Sequence, residues 1–485
     1  MYHEHPLRIL RYSAKNIWLL IFPLLRGIRA IKLDADRLYA WLKGSWFDIA
    51  VIGIIIVFGY VRWYYSMIEI TDTGIIRHDG VFVRLKTTMP YCNISSVTFE
   101  RRFYLVPLGA FRVSCDTSSG LFRAADMKLM MNQRFCDELM KHIPDVKKKD
   151  TANDIPSAGR ISILLFSAFF SSGFSGMIYI AAFFFKGGDI AHDIINMSLN
   201  TLTEETEKLA DSFIIHIPSA AIVVGVFFIG AWVLSFFVNF FRYSGFEADA
   251  DEKCLKVVCG IFNRKEFRIR TAHINYTDLR QNMIMKITGS VAVNISCAGY
   301  GAEKNHMPLL MPVTFEKNIG KNFEKVGVSG GVKTEYCPPI RGLWQYIWEP
   351  TLIFLFMLPV SGYISAIFPR LSELIFFFTI MIEIAAVWFI IVKIMAFLTS
   401  GITIFDDKIM VRCCKWTGFH TVIAERSKIV KIRLQQSLPQ KINKRCTVTL
   451  CFGGEEHSRF KVKALRVCDV NAIADVLGYD MKNKI

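Results

Sequence analysis

The hydrophobic residues of the chain follow two patterns that alternate along its length. Long apolar runs occupy residues 47–65, 161–185, 213–241, 351–368 and 371–398. Each is close to the roughly 20 residues that a helix needs to cross a bilayer. The segments after residues 65, 241 and 398 instead alternate apolar and polar side chains with period two, which is typical of half-buried β-strands. The chain is therefore predicted to place membrane helices ahead of three β-rich units.

The first apolar segment permits two interpretations. Its continuous apolar part, residues 16–25, is too short to cross the hydrocarbon. Residues 9–30 reach the required length only when four basic residues are included, Arg11, Lys15, Arg26 and Arg29. The segment is either a crossing whose basic side chains snorkel or an amphipathic helix in the membrane plane. The prediction is therefore up to six transmembrane helices in three hairpins.

The β-rich segment is an internal repeat, and a repeat of this length fixes the unit of folding. Residues 68–120 align without a gap with the segment 180 positions further on. A third copy begins near Gly401, is placed by Ile429 and Val448, and has Lys444 where the other copies have a glycine. The aligned positions of the first two copies are Gly80 and Gly260, Phe82 and Phe262, Ile94 and Ile274, Gly109 and Gly289, and Val113 and Val293.

Within each copy the pattern predicts short antiparallel strands followed by one helix. Phe267 and Ile269 alternate with Arg268 and Arg270, and Gly80 marks a turn. A single amphipathic helix after several strands predicts a small β-sandwich or partly open barrel covered by its C-terminal helix. These helices are predicted at residues 132–143, where Asn132 is a candidate cap, at 315–326, and at 469–477, where Asp469 is a candidate cap.

Apolar helices that lead into three such repeats resemble the bacterial membrane proteins with pleckstrin-homology-like (PH-like) domains, the YdbS/YdbT type. The spaced apolar residues and glycines of residues 70–120 carry the resemblance, together with the opening segment 5–12. The resemblance implies a membrane-anchored scaffold or interaction protein and brings no catalytic residue, cofactor or metal site.

The resulting prediction of fold class is membrane α + β, with each hairpin followed by a PH-like domain. The predicted segments are the apolar helices in 1–65, PH-like domain 1 at 66–143, a linker at 144–160, helices with an acidic outside loop (186–212) in 161–241, PH-like domain 2 at 242–326, a linker at 327–350, helices in 351–398 and PH-like domain 3 at 399–485.

Composition and charge support a membrane location. Of 485 residues, 52% are hydrophobic and the formal net charge is +16. Basic cytoplasmic segments are expected of a membrane protein and favour anionic lipid, so the charge gives no reason to predict a nucleic-acid partner. Twelve cysteines lack any CxxC pair, which predicts reduced, cytoplasmic domains. The resemblance implies that the membrane is a bacterial cell membrane. Self-association is a further expectation.

Glu383 is the most informative single residue, because it lies near the middle of the last apolar run. An ionised carboxylate is costly there, which suggests proton or cation handling, with Lys393 or another helix as partner. The alternative is a protonated or hydrogen-bonded structural glutamate. A transport or channel component is therefore the second functional hypothesis. A hydrolase built on Ser329 in a GxSxG segment is a remote third, since a linker explains those glycines. His3, Glu4 and His5 are more typical of a disordered terminus than of a metal site.

Basic residues recur around the strand turns of all three copies. They are either solvated strand edges that discourage edge pairing or contacts to anionic headgroups or an acidic protein. The candidates are Arg101, Arg102, Arg264, Lys265, Arg268, Arg270, Lys428, Lys431 and Arg433. The leading hypothesis is a non-catalytic membrane protein that presents three PH-like domains to lipid or protein partners.

Overall fold

The computed structural model describes residues 1–10, 12–13, 46–118, 125–143, 159–171, 219–251, 253–297, 300, 308–316, 334–405, 407–453 and 459–478. Predictions for most of the first apolar segment, for the acidic outside loop and for Ser329 lie outside these residues. We group the described strands into three units.

Unit 1 is a two-sheet sandwich entered from an apolar helix. The N-terminal strand β1 (Tyr2–His3) and helix α1 (Trp46–Tyr64) precede it. Its elements are β2 (Met67–Ile70), β3 (Gly74–Asp79), β4 (Leu85–Pro90), β5 (Ile94–Arg102), β6 (Ala110–Thr117), β7 (Met127–Asn132) and α2 (Gln133–His142). One sheet has the order β1-β2-β3-β4, and the other contains β5, β6 and β7. Helix α2 lies within the range predicted for it and buries Phe135, Cys136 and Leu139.

Unit 2 repeats this plan after helices α3 (Arg160–Phe170) and α4 (Ser219–Tyr243). Its elements are β8 (Glu247–Ala250), β9 (Cys254–Cys259), β10 (Asn263–Arg270), β11 (Tyr276–Gln281), α5 (Met283–Thr288), β12 (Ser290–Ser296) and β13 (Leu309–Phe315). Phe315 thus ends a strand and does not begin the predicted helix; Glu316 is helical, and residues 317–326 lie outside the described residues.

Unit 3 follows a helical hairpin of α6 (Trp344–Ile367) and α7 (Ser372–Thr399). Its elements are β14 (Gly401–Phe405), β15 (Lys408–Lys415), β16 (Gly418–Glu425), β17 (Ile429–Gln435), α8 (Leu438–Ile442), β18 (Arg445–Phe452), β19 (Arg459–Arg466) and α9 (Val467–Val476). The last helix begins two residues before Asp469, which therefore lies in the first turn and is not the cap.

A left-handed residue precedes the same late strand in all three units. Gly109 and Gly289 have φ angles of 63° and 67°, just before β6 and β12. Lys444 takes that place before β18 with a φ of 48°. Only glycine adopts this conformation without steric cost, so unit 3 keeps the turn with a less favourable residue.

Two helical segments are long and apolar enough to cross a membrane by length and composition, Ile340–Ile367 and Ile375–Thr399. They belong to the α6–α7 hairpin. The described parts of the other apolar helices that meet the same hydropathy test are shorter. Six crossings in three hairpins therefore stay a prediction.

The N-terminus is ordered, contrary to the expected disordered terminus. Glu4 is buried and forms an ion pair with Arg8. The Trp63 indole donates a hydrogen bond to the backbone oxygen of Glu4 over 2.7 Å, and the His5 amide donates to Met130. The segment of His3, Glu4 and His5 thus ties the end of α1 to unit 1.

Candidate functional site

The two sheets of neighbouring units are joined edge to edge. At the first junction, β5 of unit 1 pairs antiparallel with β10 of unit 2, from Asn263 opposite Arg102 to Ile269 opposite Ser96. The result is one six-stranded sheet in the order β7-β6-β5-β10-β9-β8. Seven aligned residue pairs make this junction as extensive as the pairings inside a unit.

The second junction repeats the first. Strand β11 of unit 2 pairs antiparallel with β16 of unit 3, with Thr277 opposite Ile423, and forms the sheet β13-β12-β11-β16-β15-β14. Apolar side chains from both units pack across this junction. Met410 and Ile423 of unit 3 belong to the core of unit 2. In return, Tyr276 of unit 2 packs on Phe460 with ring centroids 5.4 Å apart.

A buried carboxylate lies at each junction. At the first, the Glu100 side chain accepts hydrogen bonds from Arg102 over 2.8 Å and from Arg112 over 3.1 Å, and Lys265 of unit 2 lies 4.0 Å away. Glu100 is only 3% exposed. Lys265 is directly opposite Glu100 in the register, so the carboxylate links the two units on one face of the sheet. Arg101 and Arg264 directly oppose each other at the next position.

At the second junction the carboxylate is that of Asp278, which is 2% exposed. It accepts hydrogen bonds from Arg280 Nε over 2.8 Å and from His420 Nδ1 of unit 3 over 2.9 Å. Burial alone would raise the pKa of Asp278, but His420 and Arg280 outweigh it and hold the pKa well below its usual range. Asp278 is therefore a charged bridge between two units.

Basic side chains also reach across both junctions to equivalent carbonyls. Arg270 donates to the backbone oxygen of Cys92 over 3.1 Å, and Lys428 donates to that of Ala272 over 3.1 Å. Ala272 follows Cys92 by the same 180 positions that relate the first two copies. The two junctions thus share a register and a polar contact.

The predicted basic candidates divide according to this geometry. Six of them lie where two units meet: Arg101, Arg102, Arg264, Lys265, Arg270 and Lys428. Arg268 is 5% exposed and paired with Glu266 over 3.0 Å, so it does not form the outward-facing charge that the sequence suggested. Lys431 and Arg433 alone lie on a strand edge that pairs with no other strand in the described chain. The edges at both junctions pair with a neighbouring unit, so the alternative of solvated edges that avoid pairing does not apply to them.

A cavity of about 390 Å³ lies where the α6–α7 hairpin meets unit 3. Two exposed tryptophans from the start of α6, Trp344 and Trp348, form one side. Two lysines of β19, Lys461 and Lys463, also line the cavity. The other lining residues are polar apart from a proline: Gln345, Gln435, Ser437, Pro439, Gln440 and Thr447.

The cavity is held in shape by hydrogen bonds. Gln440 donates to Gln345 Oε1 over 2.7 Å and to Thr447 over 2.9 Å, which ties unit 3 to α6. Lys463 Nζ lies 3.8 Å from Glu349 and 3.4 Å from the backbone oxygen of Gln345. Burial lowers the pKa of Lys463, and Glu349 opposes this shift. Lys461 is exposed and has no ion pair within the described chain. The cavity is thus cationic, rich in hydrogen-bond donors and bordered by two exposed tryptophans.

Glu383 lies within α7, and both its carboxylate oxygens are closed off from solvent with no hydrogen-bond partner among the described residues. The suggested partner Lys393 instead donates to the backbone oxygen of Trp416 over 3.2 Å. Lys393 therefore does not pair with Glu383. No cluster of metal-ligating side chains occurs in the described part of the chain.

Sequence reasoning did not identify Glu100, Asp278 or the cavity. The available signal was weak. Each carboxylate lies two residues from an arginine on a strand, a spacing that puts both side chains on one face. The cavity joins residues more than 100 positions apart in the sequence, so no local pattern marks it.

Comparisons with known proteins agree with the geometry. A family model described as the bacterial PH domain matches residues 23–143 and 208–317. The UPF0699 transmembrane protein YdbT of Bacillus subtilis (strain 168) is 24% identical over 255 residues, which are 50% of this chain and 48% of that protein. The chain thus spans about half the length of this curated relative. No solved structure matches.

Proposed function

We propose that this chain, a YdbT-like bacterial membrane protein with PH domains, is a non-catalytic scaffold that holds three PH-like units in a fixed array at the membrane surface. The carrying observation is that the sheets continue from unit to unit through two junctions of the same register. Linkers alone would leave such units free to move. Backbone pairing with buried carboxylates instead fixes each unit relative to the next.

The array lies close to the membrane because each unit begins directly after an apolar helix. Only two residues separate α1 from β2, and one separates α7 from β14. We place the units on the cytoplasmic side, in keeping with the net charge of +16 and the acidic composition of residues 186–212. The predicted domain boundaries at 66–143, 242–326 and 399–485 form part of this proposal.

The ligand that the cavity beside unit 3 fits best is an anionic phospholipid headgroup. Lys461 supplies a cation and the glutamines supply donors. Trp344 and Trp348 supply amphipathic rings at the depth where a headgroup meets its acyl chains. Such a lipid would bind the folded chain and stabilise it by mass action.

Added phosphatidylglycerol is expected to raise the melting temperature of the detergent-solubilised chain more than phosphatidylcholine does. Lys461→Glu is expected to weaken the phosphatidylglycerol effect strongly, since each basic group near an anionic lipid contributes about 1 kcal/mol, or about fivefold in affinity. Arg459→Glu, two residues earlier on the same strand and outside the cavity lining, is the matched control. Equal loss in both variants, or none in Lys461→Glu, would reject the headgroup site.

A second candidate function is proton or cation transport, favoured by the closed-off and unbonded carboxylate of Glu383. If Glu383 has only a structural role, Glu383→Gln is expected to retain folding and stability, because a neutral amide is less costly than an ion in hydrocarbon. The measurement is the melting temperature together with proton flux in proteoliposomes. A proton flux that the original chain shows and the variant loses would favour transport over the scaffold.

A further inference from the structure

The array of units has two unmatched sheet edges. Each junction joins the third strand of one unit to the fourth strand of the preceding unit, namely β10 to β5 and β16 to β11. The third strand of unit 1, β4, and the fourth strand of unit 3, β17, join no neighbouring unit among the described residues. Within the described residues, β4 pairs with β3 alone and β17 with β18 alone. The array therefore ends in an unpaired third strand, β4, on one side and an unpaired fourth strand, β17, on the other. These are the two strand types that pair at each junction.

The two junctions define a common register. Val97, three residues after Ile94, pairs with Arg268, six residues before Ile274. Thr277, three residues after Ile274, pairs with Ile423, six residues before Ile429. Applying the same spacing to the two remaining edges places Ile432 of β17 opposite Thr88 of β4.

Side chains beside the two edges match this register. At the first junction Phe103 donates its amide to the backbone oxygen of Phe262 over 2.8 Å, and their rings lie 6.4 Å apart. The corresponding residues at the ends are Leu438 and Phe82, which are 81% and 89% exposed. A large apolar side chain is thus left in water on each edge at the position where its counterparts meet.

The charges along the edges permit pairing. The register sets Lys431 against Met89, Arg433 against Thr87 and Leu434 against Lys86, so no two cations oppose each other. The first junction tolerates a less favourable case, with Arg264 directly opposite Arg101. An unpaired strand edge can pair with another strand. The register, the exposed apolar side chains and the charges of β4 and β17 are all compatible with such pairing.

We propose that the partner of this scaffold is a second copy of the same chain, whose β4 pairs antiparallel with β17 and extends the array head to tail in the membrane. The inference rests on the proposed function, because it repeats between copies the junction that joins units within one. Such a contact is heterologous, so it leads to open chains or to a ring. Two copies in the same membrane hold their units at the same distance from it, because each unit follows an apolar helix in the same way. This common placement favours pairing of β4 in one copy with β17 in the other.

The test is disulfide formation in isolated native membranes to which an oxidant of thiols is added. The exposed cysteines Cys92, Cys337 and Cys468 are first replaced by serine. Two differently tagged chains are then coexpressed, one carrying Arg433→Cys and the other Thr87→Cys. The expected result is a disulfide-linked pair containing both tags. Pairing Arg433→Cys with Thr88→Cys, shifted by one residue to the opposite face, is expected to lose that product. Adding the exposed-site change Phe82→Asp is expected to reduce it.

An internal control separates this inference from the proposed function. Arg101→Cys and Arg264→Cys in a single chain face each other across the first junction and are expected to form an intramolecular disulfide. If that bond forms and no mixed-tag product does, the self-association is wrong and the scaffold stands. If neither forms, both fail. Equal yields from the Thr87 and Thr88 partners, or cross-linking to a different protein alone, would also overturn the head-to-tail contact.

Discussion

Asp278→Asn is expected to destabilise the second junction by about 3 kcal/mol or more, because removing one member of a buried ion pair leaves its partners uncompensated. The change removes the charge that accepts hydrogen bonds from Arg280 and His420 while keeping the shape. The measurement is the melting temperature of the solubilised chain, with hydrogen exchange of β11 and β16 to locate the effect. Asp249→Asn on the exposed side of β8 is the control and is expected to stay within about 0.5 kcal/mol of the original chain.

The same carboxylate predicts the direction of a pH dependence. Its pKa in the folded chain is held below the value of about 3.9 for an unfolded aspartate. The stabilisation from Asp278 is therefore fully present above the unfolded pKa and is lost as the pH falls toward the folded pKa. Asp278→Asn is expected to lose the most stability relative to the original chain at neutral pH and less in acid. A difference that grows on acidification would contradict the assignment.

Glu100→Gln is the second change with a large expected effect, again about 3 kcal/mol, because several cations surround one buried carboxylate. Arg102, Arg112 and Lys265 would lose their shared partner. We expect β5 and β10 to exchange their amide hydrogens faster while β8 is unchanged. Glu247→Gln, exposed on β8, is the matched control.

The result for Glu100→Gln distinguishes two accounts of the first junction. If stability falls but the exchange of β5 and β10 is unchanged, Glu100 stabilises unit 1 alone. If stability and exchange both stay at the level of the control, the cluster does not contribute to the junction. Only the combined effect supports a role in joining the units.

Much of the fold could be predicted from the sequence because the repeat carries it. The period-two pattern and the aligned glycines identify the strands and turns, and Gly109, Gly289 and Lys444 share one backbone conformation. The apolar hairpin α6–α7 could equally be predicted, because long apolar runs are a strong local signal.

The joining of units could not be predicted, because strand pairing over long sequence separation leaves no local pattern. The basic residues near the turns suggested edges protected from pairing, a common use of charge. A buried carboxylate such as Glu100 offsets the positive charge of these edges, so the basic residues no longer prevent the strands from pairing. The residue types alone do not tell which of the two applies.

The measurement that tests the central claim most directly is hydrogen exchange of the intact, monodisperse chain, read strand by strand. In a continuous sheet, β10 is an inner strand while β8 is at the edge. The account predicts that the β5 and β10 amides that donate across the junction exchange as slowly as those of β9, and that β11 and β16 behave alike. Exchange of those amides as fast as that of β8 would show that the units are separate and would contradict the scaffold.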